Sequence, residues 1–517
     1  MANFKPYDYN QTAMVVINFD EQLQPGTFEH AIHYLISQRL DLSVFHPKYK
    51  NDEGGRPAYD PAILLKIILF AYSKGITSSR EIEWCCRTNI IFKALSCDTV
   101  PHFTTIASFV SSYPDAIEAL FEQIVLVCDE EGLIGNELFA IDGCKLPSNA
   151  AKEWSGTLEE LKQKRAKIKK KIRHCLKEHK KLDRRRSDEN ERAHRLANSI
   201  ETLDNAYNKI DQFLKTANPR MGKAKQNKEV KSNITDNESA KMTTGKGTFQ
   251  GYNGIAAVDQ KHQIILEAQA FGEGPEYHTL APMLRGIQQR YCRLGLSDNI
   301  YQRGTAVTAD TGYANEANMQ YLRAENINAY VPDNQFRARD KRLRGQKQKH
   351  GQRHPGTAGR GEIFPASRFW FDARSHTCVC PAGNAMGLYS ERVDEQGNRQ
   401  LHFEGRLTDC RRCELKQQCM HKPETADHRK GHGRQVSFTI RPRPSATDWM
   451  KKRVDSKKGR EIYSHRMAVV EPVFGNITAN KRLNRFSLRG KAKVQGQWQL
   501  FCMIHNIEKI MRHGTLN

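Results

Sequence analysis

The sequence predicts an α/β fold class for the central part of the chain. Its 517 residues exceed one ordinary domain and can bury a large core without disulfide staples. Hydrophobic residues make up 38% and charged residues 27%, which excludes a fully disordered chain and a membrane bundle. A strand around residue 142 is followed by the alternation typical of α/β layers. We expect strands at 249–258 and 263–270, a helix at 278–291, a strand at 306–310, a helix at 316–324 and a strand at 327–331.

The amino-terminal residues favour short helices. Asp60 is a good N-cap and Pro61 suits the first helical position of an apolar helix that Gly75 ends. Ser78 or Ser79 can cap the next helix. Short helices joined by a glycine turn fit a helix-turn-helix DNA-binding unit, and they fit a plain helical bundle equally well.

The charge of the chain points to a polyanionic partner. Lys and Arg number 81 against 58 Asp and Glu, which gives a net charge of +23. Basic residues that neutralise phosphates release counterions and so drive binding, and here the positive charges are bunched. The amino terminus lacks a signal pattern, and no run approaches the ~20 apolar residues of a spanning helix. We therefore expect a cytoplasmic protein in a reducing compartment.

A basic helical hairpin is predicted after the first strand, followed by a loop at 216–247. Apolar residues recur at coiled-coil spacing on both helices, namely at Leu161, Ile168, Cys175 and Leu182, and then at Leu196, Ile200, Leu203, Tyr207, Ile210 and Leu214. On the first helix nearly every outer charge is positive, including Lys167, Lys169, Lys170 and Lys171. A charge run is usually a solvated face, but one of a single sign indicates contact with phosphates.

Three acids occupy positions from which they can act together. Asp142 and Asp310 stand at the ends of apolar strands, where a parallel sheet presents side chains to a ligand. Glu471 lies on a predicted helix at 458–474 that also carries Tyr463 and Arg466. Three carboxylates can hold two magnesium ions, because hard cations prefer oxygen ligands. Paired metals stabilise the attacking and leaving oxygens of phosphoryl transfer.

Five cysteines cluster between residues 378 and 419. Cys410 and Cys413 form a close ligand pair, Cys419 follows six residues later, and Cys380 precedes a turn-forming segment. Four thiolates suit tetrahedral zinc, so we predict one structural zinc bound by these four, with Cys378 spare. The alternative is a set of unligated, reduced thiols.

In these motifs the chain resembles the DDE transposases of bacterial insertion sequences, whose catalytic core is similar to ribonuclease H. The resemblance covers most of the chain and rests on motifs in the family's order. These are Gly55-Arg56-Pro57-Ala58-Tyr59-Asp60-Pro61, Ile141-Asp142-Gly143, Thr308-Ala309-Asp310-Thr311-Gly312-Tyr313, and Tyr463, Arg466 and Glu471 with Phe474-Gly475-Asn476. The gap from Arg466 to Glu471 is one residue longer than the common signature, and Glu461 is the alternative third acid. The signature lysine has Lys481 or Arg482 as its nearest counterpart.

The resemblance implies a metal-dependent enzyme that acts on DNA. Asp142, Asp310 and Glu471 would be catalytic and would ligate two magnesium or manganese ions. DNA contacts would come from Tyr463, Arg466, Lys481, Arg482 and Arg489, together with the four hairpin lysines. The implied activity is binding of the element's terminal inverted repeats, cleavage and strand transfer. The alternatives are a metal-dependent nuclease without strand transfer and a catalytically inactive DNA-binding protein derived from a transposase.

The resemblance also implies a domain organisation and partners. The partner would be double-stranded DNA, at the element ends and at the target, bound by a homodimer associated with the nucleoid. The expected divisions are an amino-terminal DNA-binding region at 1–130, core parts at 131–155, 248–335 and 451–517, the hairpin insertion with its linker at 156–247, and a basic loop with the Cys-rich insertion at 336–450.

Overall fold

Two compact units make up the protein. The computed structural model describes residues 16–49, 54, 57–185, 190–222, 228–245, 247–339, 363–394, 397–441 and 445–515. The first unit comprises residues 1–314, 321–331 and 459–517, and the second comprises residues 315–320 and 332–458. Gly55 and Arg56 of the first motif, and most of the basic stretch from 340 onwards, lie outside the described residues.

Short helices form the amino-terminal part of the first unit, as predicted. They are α1 (Phe28–Tyr34), α2 (Pro61–Ser73), α3 (Ser79–Thr88), α4 (Ile90–Ser96), α5 (Phe103–Ser112) and α6 (Pro114–Glu130). Asp60 caps α2, because its carboxylate accepts a hydrogen bond from the Ala62 amide, and Gly75 follows the helix with φ of +77°. Ser78 is the N-cap of α3, but its hydroxyl makes no capping hydrogen bond. Helices α2 to α5 pack against one another, which fits both a helix-turn-helix unit and a bundle.

The elements that follow, up to residue 330, come in a strand-rich order, and residues 316–320 among them belong to the second unit. They are β1 (Leu138–Pro147), β2 (Ser155–Gly156), α7 (Leu158–Arg185), α8 (Asn190–Thr216), β3 (Arg220–Met221), β4 (Glu229–Val230), β5 (Ser232–Asn233), β6 (Ala240–Thr244), β7 (Gly247–Asp259), β8 (Ile265–Phe271), α9 (Leu280–Arg293), β9 (Ala306–Ala309), α10 (Glu316–Ala324) and β10 (Ala329–Tyr330). The predicted α/β alternation is therefore present. The expectation of an irregular linker at 216–247 is wrong, because that segment contributes β3 to β6 and buries a polar cluster around Asn233 and Asp236.

A mixed six-stranded sheet is the centre of the first unit. Its strands follow the order β10-β9-β1-β7-β6, and β8 also pairs with β7. Strand β1 pairs in parallel with β9 and antiparallel with β7, while β10 is parallel to β9. The first four residues of β1 and all of β9 are buried, as expected for central strands covered on both faces.

The carboxyl-terminal residues return to the first unit as helices. A single helix at 458–474 was predicted, but the chain forms α15 (Lys457–Ser464) and α16 (Arg466–Gly475), with His465 as the N-cap of the second. Helix α16 continues through Pro472 into a π-helical turn at Asn476–Asn480. The last helix, α17 (Lys491–His513), packs on α2, α5, α6 and β8, so the amino-terminal helices and the sheet share one core.

A buried cation joins α6 to the sheet in this core. The Arg290 side chain is 1% exposed, and its guanidinium lies 2.9 Å from the Glu267 carboxylate of β8 and 2.7 Å from Glu118 of α6. A buried charge is tolerated only when it is paired and hydrogen-bonded. These contacts therefore fix α9 and α6 relative to the sheet.

The predicted helical hairpin is present as α7 and α8. Leu161, Cys175 and Ile210 are buried along the seam between the helices. An ion pair of 2.6 Å between Arg165 and Asp211 joins them with the antiparallel register that the coiled-coil spacing indicates.

The second unit is built on an antiparallel sheet. It contains α11 (Phe336–Arg339), β11 (Trp370–Asp372), β12 (Thr377–Val379), β13 (Ala385–Val393), β14 (Arg399–Glu404), α12 (Leu407–Arg411), α13 (Lys416–Cys419), β15 (Gln435–Ile440) and α14 (Ala446–Asp455). The strands pair in sequence order around a core that includes Cys378, Leu401 and Phe403. In neither unit is any described helix long and apolar enough to cross a bilayer.

Candidate active site

The two predicted aspartates are neighbours at one edge of the central sheet. In the parallel pairing of β1 with β9, Ile141 lies opposite Ala309, so Asp142 and Asp310 follow on adjacent strands. The buried apolar runs end at this point, and polar residues begin. Because the carboxyl ends of parallel strands meet at the same edge, the sequence could place these two acids together.

Asp310 is held by the backbone that follows it. Its Oδ1 accepts a hydrogen bond of 2.7 Å from the Gly312 amide, which caps the 3-10 turn at Thr311–Tyr313. Burial raises the pKa of Asp310, and the charge of Asp142 raises it further against the effect of the Gly312 hydrogen bond. The two ionised carboxylates therefore repel each other, and a bound cation would reduce this repulsion.

Arg466 reaches this pair from helix α16. Its Nη1 lies 2.8 Å from Asp142 Oδ2, and its guanidinium carbon lies 5.9 Å from the centre of the Tyr463 ring. Both charged partners are largely buried, with side-chain exposures of 12% for Arg466 and 23% for Asp142. The structure thus brings together Asp142, Asp310, Arg466 and Tyr463, which are four of the five residues predicted around the three acids; the fifth is Glu471.

Glu471 lies on the same helix as Arg466 but is exposed. Five residues of α-helix separate the two side chains by well over a quarter turn, because each residue rotates by about 100°. No described residue forms a hydrogen bond or ion pair with the Glu471 carboxylate. Its role as the third acid therefore stays a prediction, as does the alternative Glu461.

Sequence reasoning missed a third carboxylate beside the aspartates. Glu276 lies in the turn between β8 and α9, where Lys145 Nζ is 3.1 Å from its Oε1 and Asn253 Nδ2 is 3.3 Å from the same atom. The sequence signal was weak, because this acid stands neither at a strand end nor on a periodic helix. Only the folded sheet brings it to Asp310.

Of the other residues predicted to contact DNA, one is buried and the rest are exposed. Lys481 is 2% exposed and forms an ion pair with Glu508 of α17, so its ammonium is committed to the protein interior. This placement argues against the expected contact between Lys481 and DNA. Arg482 and Arg489 are exposed, although Arg489 Nε donates a hydrogen bond of 2.6 Å to the Asn149 carbonyl. All four hairpin lysines at 167, 169, 170 and 171 are exposed.

Four cysteines of the second unit line one pocket. They are Cys380, Cys410, Cys413 and Cys419. Cys380 begins a tight turn, because the Gly383 amide donates to its carbonyl and Gly383 has φ of +83°. Cys378 is buried in the sheet core with its sulfur 3.8 Å from Met386. Burial raises the pKa of Cys419 to about 11, with the three neighbouring thiols contributing.

Metal-ligand geometry is not preformed at either place. Across the described ranges, no group of three or more His, Cys, Asp or Glu side chains is arranged to hold a metal ion. At the aspartate pair, Arg466 already contacts an Asp142 oxygen, and Lys145 contacts the neighbouring Glu276. In the cysteine pocket, the thiols would have to close in on an ion.

Comparison with known families gives two matches. Residues 17–112 match the family described as Transposase domain (DUF772), and residues 379–511 match the family described as Transposase DDE domain. The second match includes the pocket cysteines, Arg466 and Glu471. No curated protein matches the chain.

These matches indicate a transposase. Together they indicate a DDE-type transposase of an insertion sequence, in agreement with its motifs. The family implies DNA binding and supports a DNA-cleaving enzyme, and DDE transposases generally use divalent metal ions.

The raised pKa of Asp310 predicts that removing its charge stabilises the fold, and that this gain in stability depends on pH. A carboxyl whose folded pKa is raised costs stability when it is ionised, and this cost disappears as pH falls through that pKa. With a chelator at pH 7, we expect Asp310→Asn to raise the midpoint of thermal unfolding, by roughly 2 °C for about 1 kcal/mol of relief. Near the ordinary aspartate pKa of about 4 the gain should vanish. The control is Glu137→Gln, which removes an exposed charge just ahead of β1. A lower midpoint for Asp310→Asn at pH 7 would contradict this reading.

Proposed function

We propose that this transposase binds the terminal inverted repeats of an insertion sequence and catalyses metal-dependent DNA cleavage and strand transfer. The observation that carries the proposal is the pairing of Asp142 with Asp310 at the strand ends, beside Arg466. Two crowded, partly buried carboxylates are suited to divalent cations, which accept several oxygen ligands. Joining two element ends requires both to be held at once, so we expect a homodimer on DNA.

A ribonuclease H-like core is part of this proposal. Support comes from the order β8-β7-β1-β9-β10, in which β7 alone runs antiparallel to the other four strands. The hairpin and the Cys-rich unit would then be insertions between core elements. Both segments lie in connections between strands or helices of the first unit: the hairpin follows β1, and the Cys-rich unit follows β10.

The carboxylates of Asp142, Asp310 and Glu471 would hold the magnesium or manganese ions. When bound, the ions supply an activated hydroxyl nucleophile and stabilise the leaving 3′ oxygen. Asp142 and Asp310 are positioned for this by the sheet, whereas Glu471 would have to turn toward them. Arg466 pairs with Asp142 and, with Tyr463, would bind a phosphate beside the two aspartates.

DNA affinity would come from exposed basic groups away from the acids. Arg482 and Arg489 remain candidates, and we exclude Lys481 because it is buried with Glu508. On the hairpin, Lys167, Lys169, Lys170 and Lys171 present a one-signed surface that no described acid covers. Such a surface binds the phosphate backbone without reading sequence.

We also propose that the cysteine pocket binds one structural zinc ion. The four thiols line the same pocket, and the Cys410 sulfur lies 2.6 Å from the position that a Cβ at Gly433 would take. Any side chain at Gly433 would therefore displace that thiol. Cys378 is excluded by its place in the sheet core. A tetrahedral thiolate site of this kind stabilises a fold and takes no part in catalysis.

The proposed activity is tested by nicking of labelled element ends with and without magnesium. We expect Asp142→Ala and Asp310→Ala each to lower nicking by roughly a hundredfold or more, because metal ligands supply several kcal/mol to the transition state. Glu471→Ala should do the same, while end binding stays nearly intact. Normal nicking by Glu471→Ala with loss in Glu461→Ala would move the third role to Glu461. Nicking without strand transfer would favour a nuclease, and binding without nicking would favour an inactive DNA-binding protein.

The hairpin surface predicts a change in salt dependence. Neutralising Lys167, Lys169, Lys170 and Lys171 with glutamine should weaken binding of all DNA sequences alike. The slope of log affinity against log salt should fall by about one per lost phosphate contact. Lys215→Gln on α8 is the control, since its ammonium is paired with Asp211. An unchanged slope would show that the surface is only solvated.

The cysteine pocket predicts a measurable metal content. Elemental analysis of protein purified without chelator should find about one zinc per chain, with loss in Cys410→Ser or Cys413→Ser. Cys97→Ser, which changes an exposed thiol in the other unit, should leave the zinc content unchanged. Metal-free protein with an intact second unit would contradict the zinc proposal.

A further inference from the structure

We infer that Glu276 is a further carboxylate of the divalent-cation site, which it forms with Asp142 and Asp310, and that Asn253 positions it. The inference rests on the proposed function, because it assigns a ligand to the same cation site. It adds a residue that lies outside both family matches.

Glu276 and Asp310 approach each other across Gly312. A Cβ at Gly312 would lie 2.9 Å from Asp310 Oδ1 and 3.0 Å from Glu276 Oε2. A side chain at Gly312 would therefore require at least one of the two carboxylates to shift, and glycine lets both lean over this turn. The two carboxylates therefore face the same small space over this turn.

The buried ring of Tyr313 lies near all three carboxylates. Burial raises the pKa of this phenol, and the charges of Glu276, Asp142 and Asp310 raise it further. All three carboxylates therefore act on one buried group. Glu276 is itself largely covered, with a side-chain exposure of 14%.

Asn253 provides an independent sign that the site takes a ligand. This residue of β7 is fully buried, and its Nδ2 donates a hydrogen bond of 3.3 Å to Glu276 Oε1. No described residue donates to its Oδ1, which lies 3.3 Å from the Cβ position of Gly143, next to Asp142. A buried amide oxygen without a donor is unfavourable, because it has lost its hydrogen bonds to water. A hydrated cation between the carboxylates would supply the missing donor through its water.

Two cations of the protein now balance the three carboxylates. Lys145 Nζ lies 3.1 Å from Glu276 Oε1, and Arg466 Nη1 lies 2.8 Å from Asp142 Oδ2. Both are monovalent groups. If Glu276 is a metal ligand, a divalent cation competes with Lys145 for its carboxylate. If Glu276 serves only as the ion-pair partner of Lys145, it needs the lysine and no metal.

The test is calorimetric titration of Mn²⁺ into the full chain without DNA. We expect Glu276→Gln to weaken Mn²⁺ binding by at least roughly tenfold, since loss of even an outer-shell partner costs about 10–100-fold. Glutamine keeps the shape and the Asn253 contact, and Glu276→Asp should recover part of the affinity if it is a carboxylate that matters. Lys145→Met should bind Mn²⁺ at least as tightly as the unchanged protein. Glu137→Gln, an exposed acid beside β1, is the control and should bind normally.

The outcomes separate this inference from the proposed function. Loss of Mn²⁺ binding in Asp142→Asn with normal binding in Glu276→Gln would overturn the Glu276 assignment and leave the proposed function standing. Equal weakening in Lys145→Met and Glu276→Gln would also overturn it, because Glu276 would then serve the lysine. Unaltered binding in Asp142→Asn and Asp310→Asn would overturn the cation site itself, and the proposed function with it.

Discussion

The parallel pairing of β1 with β9 is the constraint on which the candidate site depends. It sets Ile141 opposite Ala309, and the next residue on each strand is an aspartate. A slip of one residue would turn one of the two carboxylates to the other face of the sheet, because side chains alternate along a strand. The register is fixed in turn by burial, since the apolar residues of both strands face cores that a slip would expose.

The acids would repel one another without the groups that the rest of the chain brings to them. Arg466 arrives from a helix more than 300 residues after Asp142, and Lys145 and Asn253 arrive from β1 and β7. The hairpin and the second unit stand in the connections between these parts. The sheet, and not proximity along the chain, determines where the charged groups meet.

Much of this arrangement was predictable from the sequence, and the failures have physical reasons. The periodicity of β7, β8, α9 and α10 is strong, so these elements were located within a few residues. The segment at 216–247 was misjudged because its strands are two to five residues long and bury polar side chains. The burial of Lys481 depends on Glu508 of α17, a partner that no local pattern specifies. Glu276 was missed for the same reason, since its neighbours come from β1, β7 and the turn after β9.

The central claim is that Asp142 and Asp310 hold divalent metal in a DNA-cleaving transposase. The most direct measurement is anomalous X-ray scattering from crystals of the full chain grown with Mn²⁺. The account predicts an anomalous peak at coordination distance, about 2.0–2.3 Å, from oxygens of both Asp142 and Asp310. Peaks only elsewhere, with these two carboxylates still paired to protein cations alone, would contradict it.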